Sequence, residues 1–219
     1  MVANTTNIPP SVVMLLASGC SHCPAVLNQL CELLKSGEIS QLTAINISQQ
    51  PEAAQQYKIR SVPWLKIGDI ELLGNHSKDE LLRAIKQAGS SDGLIEYYDE
   101  LLNNGQLNDA IELLKKQPDK LALLLEMLQH KEIKISVQIG IGAIMEEFAE
   151  TDALLRLIPE LIQLTKHELA RVRNDACFYL SLTMHPSVIA AIQALLNDPD
   201  AEVQETAQEC IENFRLSEK

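Results

Sequence analysis

Two kinds of hydrophobic periodicity divide the chain. Up to about residue 88, short apolar runs alternate with stretches of helical spacing. "SVVMLLA" (11–17) is a continuous apolar run of the length of a buried strand, and "PAVLNQLCELLKSG" (24–37) sets Leu27, Leu30, Leu33 and Leu34 at helical intervals. "LTAINIS" (42–48) predicts a second strand and "QPEAAQQYK" (50–58) a short helix. "PWLKIGDIELLG" (63–74) reads as two strands around a tight Gly68-Asp69 turn. In "SKDELLRAIKQAG" (77–89), Ser77 and Glu80 have the spacing of a capping box and Gly89 is placed as the helix C-cap. The predicted order is β-α-β-α-β-β-α.

"QAGSSDG" (87–93) is short, polar and rich in Gly and Ser, and predicts a linker at 90–93 between a domain spanning 11–89 and a helical part made of a hairpin at 94–117 and repeats at 118–219. Beyond it strand signals stop. Helical patterns break at Asn104-Gly105, Pro118, His130, Thr151-Asp152, His167, Pro186 and Asp198-Pro199, which predicts about eight paired helices. Three segments resemble one another: "KISVQIGIGAIMEE", "ARVRNDACFYLSLT" and "AEVQETAQECIENF". Superposing Ile135, Val172 and Val203 aligns Ile139 with Ala176 and Ala207, and Ala143 with Leu180 and Ile211. An apolar helix precedes each, so the unit is a helical hairpin, and such hairpins bury their faces only by stacking into a solenoid. Residues 94–117 are a degenerate first unit or a connecting hairpin, and residues 1–10 are expected to be a disordered tail.

Composition narrows the function. With 219 residues, 46% of them hydrophobic, the chain can bury two cores. The formal charge of −12 is one-sided: residues 1–89 hold seven Lys/Arg and seven Asp/Glu, residues 90–219 eleven and twenty-three. A surface of that sign repels phosphate backbones and anionic headgroups, which argues against nucleic acid and membrane and for a basic protein partner. "MVANTTNIPP" has neither a basic start nor an apolar run, and no stretch approaches a membrane span, so a cytoplasmic location is expected. Five cysteines are an odd number and do not suggest a secreted disulfide framework.

The candidate chemistry lies in "ASGCSHCPAVL" (17–27), where Cys20 and Cys23 stand two residues apart with His22 between them and Pro24 after them. On its own this is a redox pair, half of a metal site or ordinary packing. A zinc site needs about four ligands, and His130, His167 and His185 are too scattered to supply a second pair. No Ser/His/Asp constellation, phosphate loop or dinucleotide fingerprint is present, so neither cofactor nor metal is expected. Cys31, Cys177 and Cys210 read as packing, and Glu146, Glu147 and Glu150 as a solvated helix face.

Residues 11–88 resemble the thioredoxin fold in its short, glutaredoxin-length form: a strand leads into "CSHC", a helix follows, and "RSVPWL" precedes the hairpin. Residues 118–215 resemble HEAT-type or armadillo-type repeats, with "ARVRNDACFYL" and "DPDAEVQETAQ" the best matches. The implied fold class is an α/β thioredoxin-like domain followed by an all-α, HEAT-like solenoid. By resemblance Pro63 corresponds to the cis-proline beside the disulfide, and Val62, Pro63 and Trp64 to the substrate-binding segment. Trp64 suits an inward core position equally well. A Cys-x-x-Cys opening a helix puts both thiols within reach of a disulfide, about 5.5 Å between Cα atoms. Cys20 at the helix N-terminus is the expected nucleophile, its thiolate favoured by unpaired amides, and Cys23 the resolving thiol. Pro24 suits the first helical turn. His22 is expected to stabilise the Cys20 thiolate and raise the potential above the roughly −270 mV of thioredoxin. Two departures stand out: Met14 occupies the place of the family's buried Asp, and Ser18-Gly19 replace the Trp before the motif. The "G-G-x-D" glutathione turn of glutaredoxins has no counterpart in "LGNHSKDE". The expected function is a thiol–disulfide oxidoreductase acting on a protein client recruited by the acidic repeats, with an unidentified thiol reductant. The alternatives are a redox-sensing interaction scaffold without turnover and a metal-binding adaptor.

Overall fold

The computed structural model describes residues 9–217. Most of the expected tail, residues 1–8, lies outside them. The chain forms two compact units, Met1–Tyr98 and Asp99–Lys219.

The first unit runs β1 (Ser11–Leu16), α1 (Cys23–Ser36), β2 (Gln41–Asn46), α2 (Pro51–Gln56), β3 (Trp64–Ile67), β4 (Ile70–Leu73) and α3 (Lys78–Gln87). The sheet order is β2-β1-β3-β4, with β1 parallel to β2 and antiparallel to β3. As an inner strand covered on both faces, β1 has no polar side to show, which accounts for its unbroken apolar run. Val12 and Met14 pair with Ile67 and Leu65 on one face, and all four are fully buried. Leu15 packs on the other with Ala53 and Trp64, in a cluster closed by Val13, Ile45, Tyr57, Ile59 and Val62. Helix α1 ends at Gly37, whose φ of 83° lets its N–H reach Leu33 and Leu34 carbonyls. Its buried face is Cys23, Val26, Leu30 and Leu33, so Leu34 points outward and Cys31 is only half-buried, not core as expected. The capping box of α3 is formed by Ser77 and Glu80. The C-cap of α3 is Ala88 in right-handed conformation, not Gly89.

The linker expected at 90–93 is instead the start of α4 (Ser91–Asn103). Ser90 Oγ accepts from Gly93 N–H at 3.1 Å, so the serine that suggested a flexible joint is a helix N-cap. Gly93 is required by packing: a Cβ there would overlap the backbone of Gln87. The division between units falls within α4, after Tyr98.

The second unit continues through α5 (Leu107–Lys116), α6 (Ala122–Leu128), α7 (Ile135–Glu147), α8 (Asp152–Leu155), α9 (Ile158–Leu164), α10 (Ala170–Ser181), α11 (Ile189–Ala194) and α12 (Ala201–Ser217), with short 3-10 turns between. Each predicted break is present. A further one separates α8 from α9 just before Pro159, which occupies the first turn of α9. Among the described residues no helix is long and apolar enough to cross a membrane.

The resemblance of α7, α10 and α12 holds in a register different from the predicted one. Ile135 and Ile139 are 75% and 67% exposed, whereas Val137 and Ile141 are fully buried. Superposing Val137, Val172 and Val203 aligns Ile141 with Ala176 and Ala207, and Met145 with Leu180 and Ile211, all buried. Two arginines of α10 tie neighbouring segments together. Arg171 donates to the Leu128 and His130 carbonyls, and Arg173 to those of His167 and Glu168. Arg173 also grips Asp198 through two hydrogen bonds of 2.7 and 2.6 Å.

Candidate functional site

The site is assembled where β1 runs out. Cys20 N–H donates to the Ala17 carbonyl, turning the chain toward α1. Because β1 and β2 run parallel with Leu16 opposite Asn46, the end of β2 reaches this turn. Asn46 Nδ2 donates to Ser18 Oγ at 3.0 Å, and Ser18 N–H donates to Ser48 Oγ at 3.1 Å. The sequence reading missed Asn46 and Ser48, and marked Ser18 only as a departure from the family pattern. The signal was available as polar side chains at the carboxyl end of a strand parallel to the one entering the motif, where ligand-facing groups gather in open α/β sheets. Asn46→Ala removes two exposed hydrogen bonds, its own to Ser18 Oγ and the one it accepts from Ser48 N–H; together worth about 1 kcal/mol, their loss is expected to slow thiol exchange roughly fivefold without unfolding the domain. Stopped-flow exchange with a small aromatic disulfide checks this.

Helix α1 begins at Cys23 with His22 at its N-cap, and the imidazole makes no capping hydrogen bond. A sulfur takes the cap's place: Cys23 N–H donates to Cys20 Sγ at 3.1 Å. Cys20 and Cys23 are joined as a disulfide with Cα atoms 5.5 Å apart. The two sulfurs are unequally open, Cys20 half-buried and Cys23 only 3% exposed. An incoming thiolate meets Cys20 Sγ first, bonds there and expels Cys23 as thiolate; when Cys20 is itself set free in a later exchange, its charge faces a helical amide. His22 is exposed beside them.

The segment before β3 closes the other side. Cys20 Sγ lies 3.8 Å from the Val62 carbonyl oxygen, and the Val62–Pro63 peptide bond is cis. Pro63 is buried, and its carbonyl accepts from Gly74 N–H at 2.8 Å, so it turns inward while half-buried Val62 borders the sulfur. Trp64 does not take part in that border. It is 3% exposed, its ring 5.0 Å from that of Tyr57, and its indole N–H donates to Glu71 Oε2. The expectation that Trp64 binds substrate therefore gives way to a core role, because its strand position pairs it with Leu15 on the α2 side of the sheet. Met14 is fully buried in β1, an apolar side chain six residues before Cys20. Among the described residues no three His, Cys, Asp or Glu side chains gather as metal ligands.

Residues 11–86 match the family described as a thioredoxin domain. A search of curated proteins found no match to the chain. The first unit is thus a thioredoxin-like domain carrying a cysteine pair at disulfide distance, an arrangement that points to redox chemistry, and a helical region follows it.

Proposed function

We propose that the chain is a cytoplasmic thiol–disulfide oxidoreductase with Cys20 as nucleophile and Cys23 as resolving thiol. The observation that carries the reading is the Cys23 amide directed at Cys20 Sγ, on a sulfur that is open while its partner is closed. In the reduced protein, Cys20 thiolate attacks one sulfur of a client disulfide and expels the other client thiolate, giving a mixed disulfide. Cys23, once deprotonated, attacks Cys20 Sγ, releases the second client thiol and forms the Cys20–Cys23 bond. Two electrons pass to the client, and a thiol donor must return them. Val62 and Pro63 supply the backbone edge against which the client lies. In the helical region we read HEAT-like hairpins whose acidic surface recruits a client with a basic surface.

Cys23→Ser tests this reading, since it should hold clients on Cys20 as reducible mixed disulfides. Recovery of no more adducts than with Cys20→Ser, Cys23→Ser would contradict it. His22 is the proposed tuning residue: imidazolium near Cys20 favours the thiolate and so the reduced form. His22→Ala is expected to lower the reduction potential, read from equilibrium with a glutathione redox series. An unchanged potential would remove the tuning role.

One observation favours a second reading. With Met14 buried where the family holds a proton acceptor for the resolving thiol, the pair is poorly equipped for rapid turnover and suits a sensor whose oxidation alters docking. Oxidation that changes client affinity in the absence of measurable turnover would select the sensor.

A further inference from the structure

The second unit holds another pair of thiols, placed by a recurrent helix junction. In the register set by Val137, Val172 and Val203, Gly142 of α7 corresponds to Cys177 of α10, and Tyr179 of α10 corresponds to Cys210 of α12. At the first junction Gly142 faces Tyr179: a Cβ on the glycine would stand 3.7 Å from the phenolic oxygen. At the next junction the same two places are filled by sulfur. The Cys210 thiol donates to the Cys177 carbonyl oxygen across 4.0 Å, which sets the two cysteines against each other at the junction. Cys177 is fully buried and Cys210 is 3% exposed. Where the first junction fits a glycine against a phenol, the second fits one cysteine against another.

We propose that Cys177 and Cys210 are a second oxidisable pair, which closes a disulfide between α10 and α12 when hydrogen peroxide reaches them. Cys210 is the attacking sulfur. It is the less deeply buried of the two, 3% exposed where Cys177 is fully buried, so peroxide meets it first, and the neighbouring Cys177 draws its thiol down against the effect of burial. Cys210 thiolate attacks one peroxide oxygen, the O–O bond breaks, and hydroxide leaves a sulfenic acid on Cys210. Cys177 then attacks Cys210 Sγ, the S–O bond breaks and water departs. Two thiols are oxidised by two electrons, and peroxide is reduced to two waters. Peroxide is close to water in size, so local opening of α12 admits it where a bulkier disulfide is excluded. The closed bond ties together positions 33 apart in sequence and restricts the unfolded chain. None of this requires turnover at Cys20 and Cys23.

The test uses the full chain with Cys20→Ser, Cys23→Ser and Cys31→Ser, which leaves only Cys177 and Cys210. After peroxide treatment and denaturation, the expected protein takes up no alkylating reagent, has lost the mass of two hydrogens and runs as a monomer. Its thermal midpoint should rise, an increase abolished by adding Cys177→Ser. Two alkylatable thiols after prolonged exposure, sulfinic or sulfonic products without a cross-link, or disulfides between molecules would each overturn the proposal. If the triple variant does not fold, peptide mapping of the peroxide-treated natural chain decides it by the presence or absence of a Cys177–Cys210 peptide.

Discussion

Cys20→Ser is expected to lower the rate of disulfide exchange on the order of a thousandfold or more, to that of the uncatalysed thiol donor. The expectation follows from what the helix start offers. Cys23 N–H is directed at Cys20 Sγ, and with no side-chain cap on α1 that sulfur is the acceptor stabilised by the helix terminus. A serine hydroxyl keeps the place but ionises far above neutral pH and cannot form the mixed disulfide. Cys23→Ser should behave differently. Cys20 remains open to attack, so the first exchange proceeds and the second cannot, giving one equivalent of released thiol and then arrest. Following thiol release under single-turnover conditions separates the two variants. Equal activity in Cys20→Ser and the natural protein would contradict the assignment of the nucleophile.

The second large effect is on stability. Asp198→Ala should cost about 3–5 kcal/mol in the helical unit, the range found when one partner of a buried ion pair is removed. The side chains of Arg173 and Asp198 are 11% and 4% exposed, and the pair is bidentate. Arg173 also satisfies the His167 and Glu168 carbonyls, while Asp198 accepts from Asp200 N–H beside the start of α12. Removing the carboxylate strands a guanidinium among these groups. The pH dependence has a definite sign. Hydrogen bonding by Arg173, opposed by burial, holds the Asp198 carboxyl below its ordinary range. Its contribution is therefore full above the unfolded carboxylate pKa of about 3.9 and is lost as pH falls through the depressed folded value. Asp175 acts oppositely. Burial, opposed by its hydrogen bonds from Gln138, raises its carboxyl to about 6, so its ionisation removes stability as pH rises from about 4 to about 6. Urea unfolding followed across pH should show both slopes, with the acid loss absent in Asp198→Ala.

How far these features could be read from the chain depends on how one-sided each pattern is. "SVVMLLA" has only one interpretation because an inner strand with both faces covered admits no polar residue. The capping box at Ser77 and Glu80 was equally legible, since it is local chemistry. "GSSDG" was misread because a serine N-cap followed by a glycine in tight packing has the composition of a linker. The register of α7 was lost for a different reason. Ile135, Val137, Ile139 and Ile141 alternate, so either pair can begin a helical face, and only contact with neighbouring helices leaves Ile135 and Ile139 outside. At the site, Cys20, Cys23 and His22 are conspicuous by spacing. The cis bond before Pro63 was legible only through the fold resemblance, because an X-Pro dipeptide carries little information about its isomer. Trp64 shows the limit of motif transfer: its neighbour in sequence borders the disulfide, but strand alternation turns the indole into the core.

The central claim is that the Cys20/Cys23 pair moves electrons between thiols and protein disulfides. Reduction of insulin disulfides by the full chain with dithiothreitol as donor tests it most directly. The account predicts chain precipitation markedly faster than with dithiothreitol alone, in proportion to protein concentration and lost in Cys20→Ser. A rate indistinguishable from that of dithiothreitol alone, with the pair verified as reduced at the start, would contradict it.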